Sequence, residues 1–374
     1  MKSSSGEYYP ALDHIRALAA FLVFTWHFTH NTQGTPVPFH QDPVFLFSIF
    51  DEGYTGVALF MTLSGYLFAK LLKNHHIDYR AFYWNRFIRL APLLFFMFIP
   101  AGFLAIPEKT SLTEYLTILV SGLVTPNWPN GGWSITVETH FYALLPIVLF
   151  IIAKSRNFLL SIIFAMILAR IFAFAFNFDV QYFAYFTLIG RLDQFILGMA
   201  AYHFSIGKNI RAWTMILALA GFLLFFDLFN RTGGYNEVLG QSNAAIWIIL
   251  PTIEGAFYAV LIAWYDNLKI TNKHWASKQV AKAGRYSYSI YLLHFFFVFA
   301  MADFVHESIM PISNYYLAFA WSIIGFIFAT FIAAISYKLI EKPFLAYRRP
   351  YILDGEAKEA SHEPSYIHRR SRPA

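Results

Sequence analysis

Residues 12–28 read LDHIRALAAFLVFTWHF. An apolar run of this length is a candidate membrane helix. Eleven positions separate Arg16 from His27. At 100° per residue this is almost three full turns, so the two side chains share one helix face, about 16 Å apart along the axis. An Arg near one end of a membrane helix can snorkel, and a His near the other can be interfacial. Both on one face is costlier, and ionisable groups inside a bilayer usually mark a pathway or a reaction.

The rest of the chain agrees with a membrane setting. Of 374 residues, 57% are hydrophobic, 20% aromatic and 13% charged. Soluble domains carry about 25% charged residues. There is no cysteine, which excludes disulfides, thiolate catalysis and cysteine metal sites. Apolar runs predict about ten spans: 11–28, 55–72, 88–106, 137–153, 158–177, 182–205, 212–229, 244–265, 287–306 and 316–340. Pro92, Pro100 and Pro146 interrupt the third and fourth.

Lys and Arg fall in alternate loops. One set holds Lys2, then Lys70 to Arg89, Lys154 with Arg156, Lys208 with Arg211, Lys269 to Arg285, and the tail from Lys338 to Arg372. The opposite loops hold Lys109 and Arg231. The positive-inside rule then puts both termini in the cytoplasm, and topology explains the net charge of +6 better than nucleic-acid binding does. The first span lacks a small-residue cleavage site and is expected to stay. Residues 1–347 form the expected membrane domain, and 348–374 a cytoplasmic basic tail expected to be disordered.

Orientation assigns depth. Arg16 lies toward the cytoplasm and His27 toward the outer face. Arg86 and Arg89 open the third span on the inner side. Glu138 opens the fourth just after the outer loop 107–136, at a depth similar to that of His27. Two polar clusters at two depths suit a long ligand with an anionic head and a reactive tip.

The ordered motifs LDHIRALAAFLVFTWH, GVALFMTLSGYLF, RFIRLAP, WSITVETHFYALLP, GRLDQFILGM, RYSYSIYLLH and SYKLIEKPF span residues 12–344. In this order they resemble the acyltransferase-3 family of integral-membrane O-acyltransferases. The resemblance implies an acyl-coenzyme A donor, most simply acetyl-CoA, on the cytoplasmic side of a bacterial inner membrane. It implies a glycan or glycolipid acceptor on the outer side, with lipopolysaccharide O-antigen expected first. Arg16 and His27 match the family's Arg-x10-His motif, with His27 the essential residue. Glu138 matches its acidic position, and Arg86 with Arg89 its Arg-x-x-Arg motif. The chemistry fits: a hydroxyl acceptor needs a base, or the acyl group passes through a covalent intermediate. A carboxylate near His27 is expected to orient the imidazole, though it also suits a helix N-terminus. Guanidinium forks suit phosphates, so Arg16, Arg86 and Arg89 are the expected donor site; positive-inside topology alone also explains Arg86 and Arg89. Some members carry an extracytoplasmic hydrolase-like domain. The chain ends soon after the tenth span, so direct transfer is the simpler expectation.

Weaker candidates remain. Ser64, with Gly65, is expected at a close helix contact. Arg191 and Asp193 lie in a span and are expected to pair with another charge or line a pocket. His294 is expected to bond a neighbour rather than line the acyl pocket. Glu341 and Pro343 suit a helix exit. His30, His40, His75, His76 and His140 show no metal-ligand spacing, so no metal is expected. Trp128 and Trp133 suit an interfacial belt or a sugar ring. Two alternatives stay open: acylation of a small secondary metabolite such as a macrolide, and a transporter with a His, Glu and Arg relay. No internal repeat is visible, which weighs mildly against common transporter designs.

Overall fold

The computed structural model describes residues 8–30, 44–73, 75–108, 110–237 and 244–353. His40 and the tail residues 354–374 lie outside these. The chain is a helical bundle. In order it forms α1 (Pro10–Thr29), α2 (Gly56–Leu72), α3 (Tyr79–Glu108), α4 (Leu112–Ser121), α5 (Trp133–Lys154), α6 (Phe158–Ala175), α7 (Val180–Phe186), α8 (Leu188–His203), α9 (Ala212–Arg231), α10 (Leu250–Asn267), α11 (Trp275–Arg285), α12 (Ser287–Leu293), α13 (Val298–Phe304), α14 (Tyr315–Ser336) and α15 (Lys342–Leu345), with one-turn helices between some of them.

Among the described residues, six helices are long and apolar enough to cross a membrane: Gly53–Leu72, Tyr79–Ala105, Trp133–Lys154, Phe158–Ala175, Ala212–Arg231 and Tyr315–Leu345. A seventh is possible if Ser287–Phe296 and Val298–Ile309, bent by 59° at their junction, make one span. The protein is therefore an integral membrane protein, with fewer clear spans than the ten expected. The remaining three runs are helical but broken or polar. The run 182–205 breaks at Thr187, whose hydroxyl caps Gly190 N–H at 3.0 Å. The run 244–265 opens as a 3-10 turn at Ala245–Ile248. α1 holds the buried polar residues Asp13 and His14. These helices sit inside the bundle, where neighbouring helices rather than lipid meet their polar groups.

α2 is the hub, packing on α1, α8 and α10. Its span is 78% buried, against 22% for the lipid-facing α6. Small residues allow the contact. A Cβ on Gly65 would lie 1.9 Å from the Phe195 carbonyl oxygen, and one on Gly198 would lie 2.0 Å from that of Thr62. The two backbones thus touch from both sides, which is how membrane helices gain close packing. The expected close approach at Gly65 is observed.

Two boundaries move. α3 starts at Tyr79, so Arg86 and Arg89 lie two to three turns inside the helix rather than at its opening. The tail starts later than residue 348. Ile352–Leu353 pairs antiparallel with His76–Ile77, and Tyr351 is fully buried. A ring with no exposed surface and a strand partner hold this short segment, which its basic neighbours disguise in the sequence.

Gly65→Ala should lower stability by about 1–3 kcal/mol, because backbone atoms cannot yield to the added methyl. Gly221→Ala, where nothing lies within 4 Å of the added carbon, should be neutral or slightly stabilising. Thermal unfolding in detergent compares the two; equal midpoints would remove the packing role from Gly65.

Candidate active site

Two cavities flank α1. The first, of ≈ 190 Å³, is lined by Arg16, Arg86 and Arg89, and beyond them by Ser64 and Glu138. The three arginines expected to act together do face one space. A fourth, Arg348, joins them from the segment after α15. Arg16 donates to Asp13 at 2.5 Å, one turn away. Arg86 lies over the faces of Phe68, Phe82 and Tyr142, at 5.4, 5.3 and 5.8 Å, and its buried Nε has no hydrogen-bond partner among the described residues. Burial, with the charges of Arg89 and Arg86 beside it, lowers the Arg348 guanidinium to about 10.

Glu138 belongs to this same cavity. Its carboxylate accepts from the Tyr142 hydroxyl one turn along α5, and from Ser64 at 3.4 Å. Tyr142 was legible in WSITVETHFYALLP as the residue four positions on, and therefore on the same face. The expected Glu138–His27 contact is not what the structure shows, because these bonds turn the carboxylate toward the arginine cavity.

His27 opens instead into a second cavity, of ≈ 180 Å³, walled by aromatic rings that include Trp26, Trp133, Tyr185 and Tyr235. Trp133 thus sits where a ring stack would form. Trp128 does not; its indole N–H donates to Leu119 O at 2.8 Å and the side chain is buried. The two cavities share Val57 and Tyr291 as walls. The Tyr291 hydroxyl donates to Gly131 O at 3.1 Å.

The partner of His27 is His294. Its Nε2 lies 3.2 Å from His27 Nδ1, where sequence reasoning expected only a structural bond. The hydrogen bonds assign both tautomers. His294 Nδ1 lies 2.7 Å from Tyr291 O. A carbonyl only accepts, so this nitrogen carries the proton and His294 Nε2 is left as an acceptor. His27 Nδ1 lies 2.8 Å from Val23 O and carries its proton for the same reason. His27 Nε2 then holds a free lone pair, the form a general base needs. The 59° bend after Phe296 ends the helix just beyond His294, which a run of apolar residues conceals.

Arg191 and Asp193 do not pair with each other. Asp193 meets Arg170 at 2.7 Å, with neither side chain exposed, and Thr252 donates to the same carboxylate oxygen at 2.5 Å. Arg191 donates to Tyr185 O and to Gln194 at 3.0 Å, lies 4.2 Å over the Tyr185 ring, and Gln194 reaches buried Glu254 at 3.1 Å. Both groups hold the bundle together; Arg191 also backs the aromatic cavity through Tyr185. Arg170 had a sequence signal, since an Arg within a span needs an acid, and Asp193 is one of few candidates.

The profile of an acyltransferase domain, that of the acyltransferase-3 family, matches residues 9–338. The chain belongs to the acyltransferase-3 family. The O-acetyltransferase OatA of Staphylococcus aureus is 24% identical over 379 residues, covering 91% of this chain and 58% of the relative. The putative peptidoglycan O-acetyltransferase YrhL of Bacillus subtilis is 24% identical, covering 91% of this chain and 56% of its own length. The peptidoglycan O-acetyltransferase OatA of Listeria monocytogenes is 25% identical over 190 residues, 43% of this chain and 28% of the relative. The chain thus spans somewhat over half the length of the first two. No solved structure matches. Arg348 lies beyond the stretch that defines the acyltransferase domain.

In this acyltransferase domain the His pair is open to test. His294→Gln removes the ring that fixes His27 Nδ1. It should lower kcat for ester formation by roughly 10- to 100-fold and leave the donor KM unchanged. A wild-type kcat would make His294 a packing residue only.

Proposed function

We propose that this protein is an O-acyltransferase, most simply an O-acetyltransferase, that moves an acyl group from acyl-coenzyme A to a hydroxyl of a cell-envelope glycan. The observation that carries the reading is the pairing of an arginine-lined cavity with a separate aromatic cavity around an imidazole whose Nε2 is free to take a proton. Guanidinium forks suit the phosphates of coenzyme A. Flat aromatic walls suit the apolar face of a sugar ring. The donor's extended arm would run along α1, and the acyl carbon would reach the partition formed by Val57 and Tyr291.

In the reaction the sugar hydroxyl oxygen attacks the thioester carbonyl. His27 Nε2 takes the hydroxyl proton, the new C–O ester bond forms, and the C–S bond breaks to release the thiolate, which is then protonated. Glu138 lies on the donor side and serves there, with Tyr142 and Ser64, rather than as an orienting carboxylate for His27. The relatives' names support peptidoglycan as the acceptor glycan; the O-antigen reading rests on the motifs alone. The arginine cavity would face the cytoplasm and the aromatic cavity the outside, in the bacterial inner membrane, by the positive-inside pattern.

His27→Ala should fold and insert normally and lose at least about 100-fold of ester formation, read by mass spectrometry of the glycan; normal acylation would end the mechanism. Substrate flux with no new covalent product would indicate a transporter. Arg86→Lys keeps the charge but not the planar fork, and should raise the donor KM roughly tenfold with the acceptor KM unchanged.

Orientation is tested separately. The chain has no cysteine, so Phe295→Cys in the wall of the His27 cavity and Tyr83→Cys on α3 beside Arg86 give single labels. A membrane-impermeant thiol reagent should reach the first only from outside and the second only from the cytoplasm. The reverse pattern would remove the external acceptor.

A further inference from the structure

The segment after α15 is strapped across the start of α3. Trp84 donates to Tyr347 O at 3.0 Å. Asn85, only 2% exposed, spends both ends of its amide on Arg349: it donates to the carbonyl at 2.6 Å and accepts from the N–H at 2.9 Å. Asp78 N–H donates to Tyr351 O at 3.0 Å, and the fully buried Tyr351 packs against Phe82 with ring centroids 5.5 Å apart. The residues on both sides of Arg348 are therefore pinned, and Arg348 is delivered into the cavity that holds Arg16, Arg86 and Arg89.

Resting on the function proposed above, we infer that Arg348 is a fourth phosphate ligand for the coenzyme A donor, carried by a strap that the helical bundle itself does not contain. The neighbouring Arg349 is the counter-example within the same segment. It lies outside the cavity, with its guanidinium 5.4 Å over the exposed Trp84 ring. One arginine of the pair is turned inward by the Asn85 and Tyr351 contacts, and the other is left on the surface. Gathering guanidinium groups around one cavity is unfavourable unless counter-charge offsets it. Asp13 supplies some to Arg16, Glu341 lies within electrostatic reach of Arg89, and Glu138 lines the same cavity. A nucleotide carrying a pyrophosphate and a further phosphate would meet these guanidinium groups in the bidentate geometry that Arg favours.

The test is calorimetric titration of the full chain in detergent with coenzyme A. Arg348→Gln should weaken binding about 10- to 100-fold. Arg348→Lys should lie between that variant and the wild type, and Arg349→Gln should bind as the wild type does. Asn85→Ala, which keeps the Arg348 side chain but frees the strap that positions it, should weaken binding in the same direction; it also decides the matter if Arg348→Gln unfolds. Equal binding by wild type and Arg348→Gln overturns this inference alone. Equal losses in Arg348→Gln and Arg349→Gln also overturn it, since only general charge would then matter. Failure of the wild type to bind coenzyme A overturns both this inference and the proposed donor.

Discussion

A charge carried into a bilayer has to be met inside the protein, and the architecture follows from that constraint. Arg170 and Asp193 meet with no exposed surface, and Thr252 bonds the same carboxylate. Arg191 is met by a backbone carbonyl, Gln194 and the Tyr185 ring. Each partner sits on a different helix from the charge or one turn along, so satisfying the charges fixes how α6, α8 and α10 are placed. α8 and α10 then present α2 with a fixed surface, and the contact at Gly65 and Gly198 closes it. α6 carries the strongest hydropathy signal because, Arg170 apart, most of its surface faces outward.

The same constraint separates the two cavities. Arginines and a carboxylate gather on one side of the wall formed by Val57 and Tyr291, and aromatic rings with a neutral histidine pair gather on the other. A phosphate-bearing ligand and a sugar would thus be held apart by Val57 and Tyr291, and the reacting atoms would meet only there. This arrangement differs from a hydrolase-like triad, in which acid, imidazole and nucleophile form one chain of hydrogen bonds. Here the imidazole's neighbour is a second imidazole, and the carboxylate belongs to the other side.

Much of this was legible in the sequence. The helical class, the membrane setting and the shared face of Arg16 and His27 follow from periodicity and from the cost of buried charge, and the gathering of Arg16, Arg86 and Arg89 from the depths that the loop charges assign. The span boundaries located Glu138 near the start of its helix, and the family motif matched it to an acidic position. They could not say which way the carboxylate turns, because that depends on Tyr142 and Ser64 across a helix contact. Span counting gave ten; among the described residues six helices, or seven with the bent pair, are long and apolar enough to cross, since hydropathy does not register a break such as the one at Thr187. Arg348 was hidden by its surroundings: two adjacent arginines just after a helix end read as topology, and it takes the Asn85 and Tyr351 contacts to turn one of them inward. His294 was assigned a bond to a neighbour, and the neighbour proves to be His27.

The tautomers of that pair bear on catalysis. In the resting state His27 Nδ1–H is directed at Val23 O and at the lone pair of His294 Nε2. When His27 Nε2 takes a proton in the proposed reaction, Nδ1–H keeps both acceptors. His294 keeps its own proton on Tyr291 O, and the imidazolium gains a neutral acceptor without rotation of either ring. A carboxylate in that place would bind the imidazolium more tightly but would bring a full charge into a buried position among aromatic rings, at several kcal/mol of desolvation. A neutral histidine gives orientation without that charge. Groups already aimed at where charge will develop cost no reorganisation at the moment of reaction. The His27–His294 pair meets that condition, and Tyr291, which holds His294 through its carbonyl and forms the wall between the cavities with its ring, couples the base to the place where donor and acceptor would meet.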